Sequence, residues 1–266
     1  MMSWVLYKKE LKSNYKILII FLAVITIYSG LVIAMYDPDL NQSLNALATS
    51  MPQIFAAFSM SNIANTLLEF ITNYLYGFIL IAFPFIFWVI LCHRLLSRYI
   101  DKGSMAYLLS THQSRQKVVM SQLMVLFTGI FIIVMYAFFM ILLFAYMMFK
   151  EAIDIFHFFL VNIGLFALHS FLGSLCYFGG CCFNETRLSV GFGAGLGILF
   201  ILIQMIGQVG DKLKFLKYMT PMTLFNPQEL SQANQDALVG VLILFITSLI
   251  IIFIAQNIFK KRDLPL

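Results

Sequence analysis

Six long apolar stretches dominate the sequence, and each is long enough to cross a lipid bilayer as a helix. They lie at residues 17–36, 70–92, 120–149, 155–178, 189–209 and 237–259. A helix needs about 20 apolar residues to span the hydrocarbon core, where its backbone must satisfy its own hydrogen bonds. Since 61% of the residues are hydrophobic and 11% are charged, a water-soluble globule is excluded. The sequence predicts an all-α integral membrane protein with six transmembrane helices, forming one domain over residues 1–266.

Charge is distributed unevenly between the two sides of these stretches. With the N-terminus inside, 13 of the 17 Lys and Arg residues lie in the inner segments, whereas only 4 of the 12 acidic residues do. Positive charge on the cytoplasmic side is the usual pattern of membrane helices. We therefore expect a multi-pass protein of a bacterial plasma membrane with both termini in the cytoplasm. The basic residues then face membrane lipid, and no nucleic-acid partner is expected.

Short segments outside the spans carry their own patterns. Residues 4–12 mix apolar side chains with lysines, which predicts an amphipathic interface helix along the inner membrane surface; a frayed basic leader is the alternative. The outer segment 37–69 predicts a short helix resting on the outer leaflet. In the outer segment 210–236, Pro221 and Pro227 interrupt an apolar run. Since proline breaks helices, we expect two short half-helices dipping into the outer leaflet, or else a surface loop.

The sequence contains no recognisable catalytic or metal-binding constellation. It lacks a Gly-x-x-x-x-Gly-Lys-Ser/Thr loop, so ATP binding by this chain is not expected. The four histidines have no zinc spacing on one helix face. The Cys181-Cys182 pair could be acylated or bind metal, but ordinary reduced thiols are expected. The spans lack mid-membrane carboxylates of the proton-relay kind, which argues against a proton-driven carrier. We predict no enzymatic activity, no metal site and no cofactor in this chain.

The spans also contain two polar strips and a glycine-rich segment. Asn162, His169 and Gly173 share one helical face of the fourth span, and Gln204 and Gln208 share one face of the fifth. Such strips either line a translocation path or form hydrogen bonds between helices, worth roughly 0.6 kcal/mol per pair. Glycines four residues apart allow another helix to approach closely, either within the subunit or in a dimer. The glycines with this spacing are Gly191, Gly193, Gly195 and Gly197.

Residues 93–117, between the second and third spans, follow a pattern that lipid does not require. Apolar residues at helical spacing, from Leu95 to Ile100, are followed by a charged break and a second apolar run, Met105 to Leu109. An exposed amphipathic helix pair at this place predicts a docking surface for a cytoplasmic partner.

Three motifs resemble those of type-2 ABC exporter permeases. The run Asp-Lys-Gly-Ser-Met-Ala-Tyr-Leu-Leu-Ser-Thr-His-Gln-Ser-Arg at 101–115 resembles the family's cytoplasmic signature, with His112 where typical members have proline. Lys-Lys-Glu-Leu-Lys at 8–12 is similar to the family's N-terminal interface helix, and residues 259–264 resemble its common C-terminal ending. With the six-span layout, the resemblance covers the whole chain.

The resemblance implies a transmembrane subunit that pairs with a second permease chain, identical or a sister. Two separate ABC ATPase subunits would bind ATP and Mg and drive transport. Residues 101–115 would form the coupling helix, and the short inner loop before the fifth span would make a second contact. The implied coupling residues are Asp101, Lys102, Gly103, Ser104, Tyr107, Leu108, Leu109, Ser110, Arg115, Glu185 and Arg187.

The expected function is therefore ATP-driven export. The Phe- and Met-rich spans offer adaptable apolar surface, which suits amphipathic peptides, lipids or hydrophobic drugs, with peptides slightly preferred. The alternatives are a membrane sensor or immunity protein that transports nothing, and a proton-driven carrier. An ATPase that copurifies in mild detergent separates export from both alternatives.

Overall fold

The computed structural model describes residues 2–36, 47–58, 60, 64, 66–101, 103, 105, 114–149, 153–209 and 211–262. Six helices are long and apolar enough to cross a membrane, which confirms the predicted six-helix fold. Together with two of the short helices between them, they are α1 (Trp4–Ala34), α2 (Pro52–Ala57), α3 (Leu67–Asp101), α4 (Arg115–Phe149), α5 (Ile155–Cys182), α6 (Thr186–Gln208), α7 (Pro227–Leu230) and α8 (Gln235–Lys261). The described residues contain no β-strand.

Both described chain ends lie at the same end of the helix bundle. The backbone N–H of Ser3 donates to Oγ of Ser121 near the start of α4 at 2.7 Å. The Arg262 side chain, just after α8, contacts Asn184 between α5 and α6. We name this the inner end, following the charge distribution, and the opposite end the outer end.

The first span is a single uninterrupted helix from Trp4 to Ala34. The predicted interface helix is therefore not a separate element, because residues 4–12 form the first turns of α1. No proline and no glycine before Gly30 interrupts it. Its 31 residues give a length of about 46 Å, more than the roughly 30 Å of a hydrocarbon core. The lysine-rich turns thus extend beyond the core at the inner end.

The second span, α3, is irregular in two places. It contains π-helical segments at Leu75–Ile79 and His93–Ser97, with Pro84 between them. Because Pro84 has no N–H, the carbonyl of Leu80 loses its usual partner. Nε2 of His169 on α5 donates to that carbonyl at 2.8 Å, and Nε2 of Gln122 on α4 donates to the carbonyl of Leu95. Side chains of neighbouring helices therefore satisfy the irregular backbone of α3.

The fourth span, α5, is the centre of the bundle and packs against α3, α4, α6 and α8. Its glycines permit this close approach. A Cβ at Gly173 would lie 2.5 Å from Cδ2 of the buried Trp88, and one at Gly164 would lie 3.2 Å from the Phe225 ring. Small residues at helix contacts let backbones come together where lipid offers no hydrophobic driving force.

Polar side chains cap four helices that begin at the outer end. Thr66 caps α3, Asp154 caps α5, Asn226 caps α7 and Asn234 caps α8, each by accepting backbone N–H groups of the first turn. Such caps stabilise a helix by about 1 kcal/mol. The hydrogen bond from the His157 side chain, 2.7 Å from the carboxylate, together with the backbone bonds, lowers the pKa of Asp154 from its usual value.

Short helices occur in both outer segments where the sequence predicts them. In the first outer segment the short helix is α2. The second contains three pieces where two half-helices are predicted: 3-10 helices at Asp211–Met219 and Pro221–Leu224, then α7. Pro221 and Pro227 each start a piece, because a first-turn residue needs no N–H donor.

Replacing Gly173 by alanine is expected to destabilise the bundle. The new Cβ overlaps the ring of Trp88, which is fully buried and has no room to move, so we expect a cost of about 1–3 kcal/mol. Gly30→Ala is the matched control, because its Cβ would lie 3.4 Å from the Phe144 ring, an ordinary contact. Thermal unfolding in detergent should show a lower midpoint for Gly173→Ala only. Equal midpoints for the two variants would contradict the packing of Trp88 on Gly173.

Candidate functional site

One arginine joins three segments at the inner end. Nε of Arg262 donates to Oδ1 of Asn184 at 2.8 Å, and its Nη1 donates to the carbonyl of Cys181. Nη1 of Arg115 donates to the carbonyl of Arg262 at 2.7 Å. Partial burial lowers the pKa of Arg262 from its usual value, yet an arginine stays cationic at neutral pH. We name Arg115, Cys181, Asn184 and Arg262 the inner clamp.

The inner clamp lies beside both predicted coupling segments. Arg115 ends the first, and Asn184 directly precedes the exposed Glu185 of the second, in which Arg187 is also exposed. Asp101 is exposed at the end of α3, and Gly103 follows with φ of +65°, a backbone conformation that favours glycine. The other predicted coupling residues, Lys102, Ser104, Tyr107, Leu108, Leu109 and Ser110, lie outside the described residues.

A second polar contact at the inner end connects α1 with the last turn of α3. The hydroxyl of Tyr99 donates to Oε1 of Glu10 at 2.9 Å, and only 3% of Glu10 is exposed. The sequence places Glu10, Tyr99 and Arg262 within motifs but predicts no contact for any of them. The signal for Glu10 was its place as the one acid among four lysines before the first span.

The first predicted polar strip faces α3. The Tyr76 hydroxyl donates to Oδ1 of Asn162 at 2.9 Å, His169 contacts the Leu80 carbonyl, and Gly173 lies under Trp88. Only 2% of Asn162 and none of His169 is exposed. In this conformation the geometry of the strip favours hydrogen bonding and packing between helices over a translocation path.

The second predicted strip lines a cavity. A space of about 400 Å³ lies at the outer end between α3, α6 and the segment that follows α6. We name it the outer chamber. Its walls are mostly polar and include Gln204, Gln208, Lys217, Asn226, Gln228 and Glu229.

An apolar crevice adjoins the outer chamber between α3 and α6. It shares Gln204 and Gln208 with the chamber, and its walls include Phe78, Ile81, Ile201 and Met205. Its volume of about 50 Å³ is much smaller than that of the chamber. We name it the apolar cleft. The two spaces together form a polar cavity with an apolar extension into the bundle.

Residues 211–230, which we name the outer cap, contribute most of the residues that line the chamber. The hydroxyls of Thr220 and Thr223 donate to Oε1 of Gln204 at 2.7 and 3.2 Å. Nε2 of Gln228 donates to Oδ1 of Asn73 on α3. These contacts connect the cap to α6 at one end and to α3 at the other. The cap therefore forms a wall of the chamber that is attached to both helices.

Glycines let the cap sit directly on two helices. A Cβ at Gly207 on α6 would lie 2.9 Å from the backbone nitrogen of Lys217, and one at Gly240 on α8 would lie 2.5 Å from the carbonyl oxygen of Leu224. Backbone atoms cannot yield as a flexible side-chain tip can. The cap is therefore held in one position by van der Waals contact as well as by hydrogen bonds.

The four glycines near the start of α6 divide into two faces. Those at 193 and 197 point into the subunit, where a Cβ would meet the backbone of Cys176 or the ring of Phe85. At Gly191 and Gly195, by contrast, no atom of the described chain lies within 4 Å of an added Cβ. One pair therefore packs within the subunit, and the other forms part of an open helix face.

The described residues contain no group of three His, Cys, Asp or Glu side chains that could hold a metal ion. The four cysteines are free thiols. Three of them are buried, and Cys182 is partly exposed.

Six helices long and apolar enough to cross a membrane define a multi-pass membrane protein. The family described as ABC-2 family transporter protein matches residues 4–264, and the chain therefore belongs to this family. The resemblance seen in the sequence motifs is thus confirmed over nearly the whole chain. No curated protein matches the sequence significantly. Members of this family are membrane components of transporters.

Arg262→Gln is expected to loosen the inner clamp. Glutamine is shorter and uncharged, so it loses the hydrogen bonds to Asn184 and Cys181. Hydrogen bonds to charged groups contribute about 1.5–3 kcal/mol, so we expect hydrogen exchange of the backbone amides of residues 183–187 to increase at least tenfold. Lys260→Gln, at an exposed position two residues earlier, serves as the control and should leave exchange unchanged. The same increase in both variants would mean that charge alone, and not the clamp, orders this loop.

Proposed function

We propose that this chain is the transmembrane subunit of an ATP-driven exporter of amphipathic molecules. Separate ABC ATPase subunits bind at the inner end, hold ATP and Mg, and provide the energy. Both termini then face the cytoplasm of a bacterial cell. The observation that carries the proposal is the family match over residues 4–264. The sequence itself contains no phosphate-binding loop, which supports a separate nucleotide-binding partner.

The inner clamp supports the proposed route of coupling. Arg115 starts α4 directly after the coupling segment, and its hydrogen bond to Arg262 links that segment to the end of α8. Arg262 in turn contacts Asn184 in the second coupling loop. A displacement of the coupling segment by the ATPase therefore reaches α4, α8 and the α5–α6 loop together. Such a connection suits a rigid-body transition between two states.

Two permease chains are proposed to meet along the open face of α6. This span is the least buried of the six, because only 17% of the residues in its apolar stretch are buried inside the subunit. Its outward face carries Gly191 and Gly195 together with the exposed Ile198 and Leu202. Paired glycines allow the backbones of two helices to come close, where van der Waals packing stabilises the pair.

The outer chamber and the apolar cleft support an amphipathic cargo. A molecule with one polar end matches a polar chamber that continues into an apolar crevice. Amphipathic peptides and lipids share this property, whereas a small hydrophilic solute would leave the cleft unfilled. Release to the outside requires the cap to move, which breaks the hydrogen bonds of Thr220 and Thr223 to Gln204.

Leu108→Glu is expected to abolish binding of the ATPase. Leu108 belongs to the predicted apolar face of the coupling segment, and a carboxylate placed in an apolar cleft of the partner costs several kcal/mol. The chain and its ATPase are coexpressed, purified in mild detergent, and assayed for copurification and for ATP hydrolysis. We expect recovery of the ATPase to fall at least tenfold while the permease keeps its thermal unfolding midpoint.

Leu213→Glu, at an exposed position in the outer cap, is the control for that experiment and should retain the ATPase. If the ATPase copurifies equally with both variants, residues 101–115 do not form the contact. If no ATPase copurifies with the unaltered chain, the exporter proposal itself is wrong.

Gly195→Cys is expected to cross-link two permease chains. The position has open space for the new side chain, and two copies would meet across the proposed interface. Oxidation in native membranes should produce a band of doubled mass on a denaturing gel. Phe253→Cys, at a position 67% exposed on α8, is the control and should stay monomeric. The unaltered chain, oxidised in the same way, shows whether the four native cysteines cross-link by themselves. Cross-linking of Phe253→Cys alone would move the interface to α8, and a cross-link only to a coexpressed sister chain would indicate a heterodimer.

A further inference from the structure

We propose that the outer chamber binds the zwitterionic head of a phospholipid, with its ammonium group on Glu229 and its phosphate on Lys217. The apolar cleft holds the start of an acyl chain. The identification of this lipid as cargo rests on the proposed export function. The binding site itself is argued only from contacts at the outer end.

Two opposite charges line the chamber without neutralising each other. Lys217 and Glu229 both belong to its walls and are both partly buried. Among the residues that the structure describes, neither Lys217 nor Glu229 is found in an ion pair within 4.0 Å. A partly desolvated charge is stabilised by an opposite charge. A zwitterion provides both opposite charges in one molecule.

The backbone holds these two charges on separate elements. The stem of Lys217 lies against α6, where a Cβ at Gly207 would be 3.0 Å from Cγ of Lys217. Glu229 lies on α7, where its N–H donates to the Asn226 side chain at 3.3 Å and its carbonyl accepts from the N–H of Asn234 at 3.0 Å. The two charged residues of the chamber wall are therefore held by separate backbone segments, one packed on α6 and the other on α7.

The amide side chains of the chamber suit the remaining atoms of such a head group. Gln204 and Gln208 project from α6 into the same space, and amide groups can donate to phosphate oxygens. The volume of about 400 Å³ falls within the range of about 300–1,000 Å³ that is typical of small-molecule sites.

The apolar cleft favours a lipid over a free zwitterionic solute. It leads from the chamber between α3 and α6, past Ile81 and Ile201. A free amino acid would fill the chamber and leave the cleft without a ligand. The chamber lies at the outer end, where the head groups of the outer leaflet are found.

The experiment measures lipid binding to the full-length chain without any ATPase. The chain is purified in dodecyl maltoside and titrated in native mass spectrometry with phosphatidylethanolamine and, separately, phosphatidylglycerol of the same acyl chains. Both lipids carry a phosphate, but only phosphatidylethanolamine carries an ammonium group. We expect the unaltered chain to bind phosphatidylethanolamine about tenfold more tightly, which corresponds to one charged hydrogen bond.

Two variants that each remove one charge from the chamber should change lipid binding in different ways. Glu229→Gln should lose the preference between the two lipids, because the ammonium contact is gone. Lys217→Gln should weaken the binding of both lipids about tenfold, because each lipid loses the contact to its phosphate. Lys214→Gln and Asp236→Asn change the net charge in the same way at positions outside the chamber walls, and they should behave like the unaltered chain.

Several outcomes overturn the proposal. A lipid preference that survives in Glu229→Gln, or that is lost equally in Asp236→Asn, removes the assigned ammonium site. Met205→Trp fills the apolar cleft and leaves both charged residues unaltered. It should weaken the binding of phosphatidylethanolamine at least tenfold. Unchanged binding would show that the cleft holds no acyl chain. Binding of a hydrophobic peptide in the absence of any phosphatidylethanolamine binding assigns the chamber to a peptide.

This result is separable from the export proposal. If the ATPase copurifies with the chain but the lipid pattern is absent, the chamber assignment is wrong and the exporter stands. If the lipid pattern is found but no ATPase copurifies, the binding site stands and the exporter is wrong. Unfolding midpoints measured for each variant in the same detergent identify any variant that fails to fold, and Met205→Trp then tests the site independently of its charges.

Discussion

The hydrocarbon core of a bilayer provides no hydrogen-bond partner, so every irregularity in a spanning helix needs one from the protein. This constraint explains the arrangement around α3. Pro84 and two π-helical segments interrupt its regular hydrogen bonding, and His169 and Gln122 reach carbonyls of α3 from the two neighbouring helices. Because a carbonyl oxygen only accepts, Nε2 of His169 carries the proton. These contacts hold α3 against both α4 and α5, and α3 contributes Thr72 to the wall of the outer chamber.

Close packing of small residues around α5 also stabilises the helix bundle. Lipid tails are as apolar as leucine, so burial of apolar area distinguishes the inside of the bundle only weakly from the lipid. Contact between well-fitted surfaces stabilises the bundle instead. Gly173 fits under Trp88, Gly180 lies against Leu96, and Gly193 allows α6 to touch the backbone of Cys176. The same logic explains why α6, with glycines on two faces, can pack inward on one and remain open on the other.

Composition and charge were sufficient to predict the spans because each apolar run is long and the ends carry charged or polar residues. The same pattern did not separate an interface helix from the first span, since nothing in residues 4–12 breaks α1. Spacing placed Gln204 and Gln208 on one face, but only the folded cap creates the cavity they line. Likewise, all four glycines of α6 have equivalent spacing, and the positions of α5 and α3 decide which pair is inside. Arg262 was missed because its partners are about 80 and 150 positions away in the sequence.

The inner clamp and the outer cap lie at opposite ends of the same helices. On α5, Cys181 contacts Arg262 at one end, and Gly164 receives the cap residue Phe225 at the other. On α8, the clamp follows the last turn, and Gly240 touches Leu224 of the cap near the first. Helices of 28 and 27 residues span about 40 Å and do not compress. Under the proposed export function, these two continuous helices are the route by which a shift at the clamp would reach the cap. The closest contacts of Gly207 and Gly240 with the cap are made to backbone atoms and include no flexible side-chain tip, so the proposed opening of the cap requires these contacts to separate.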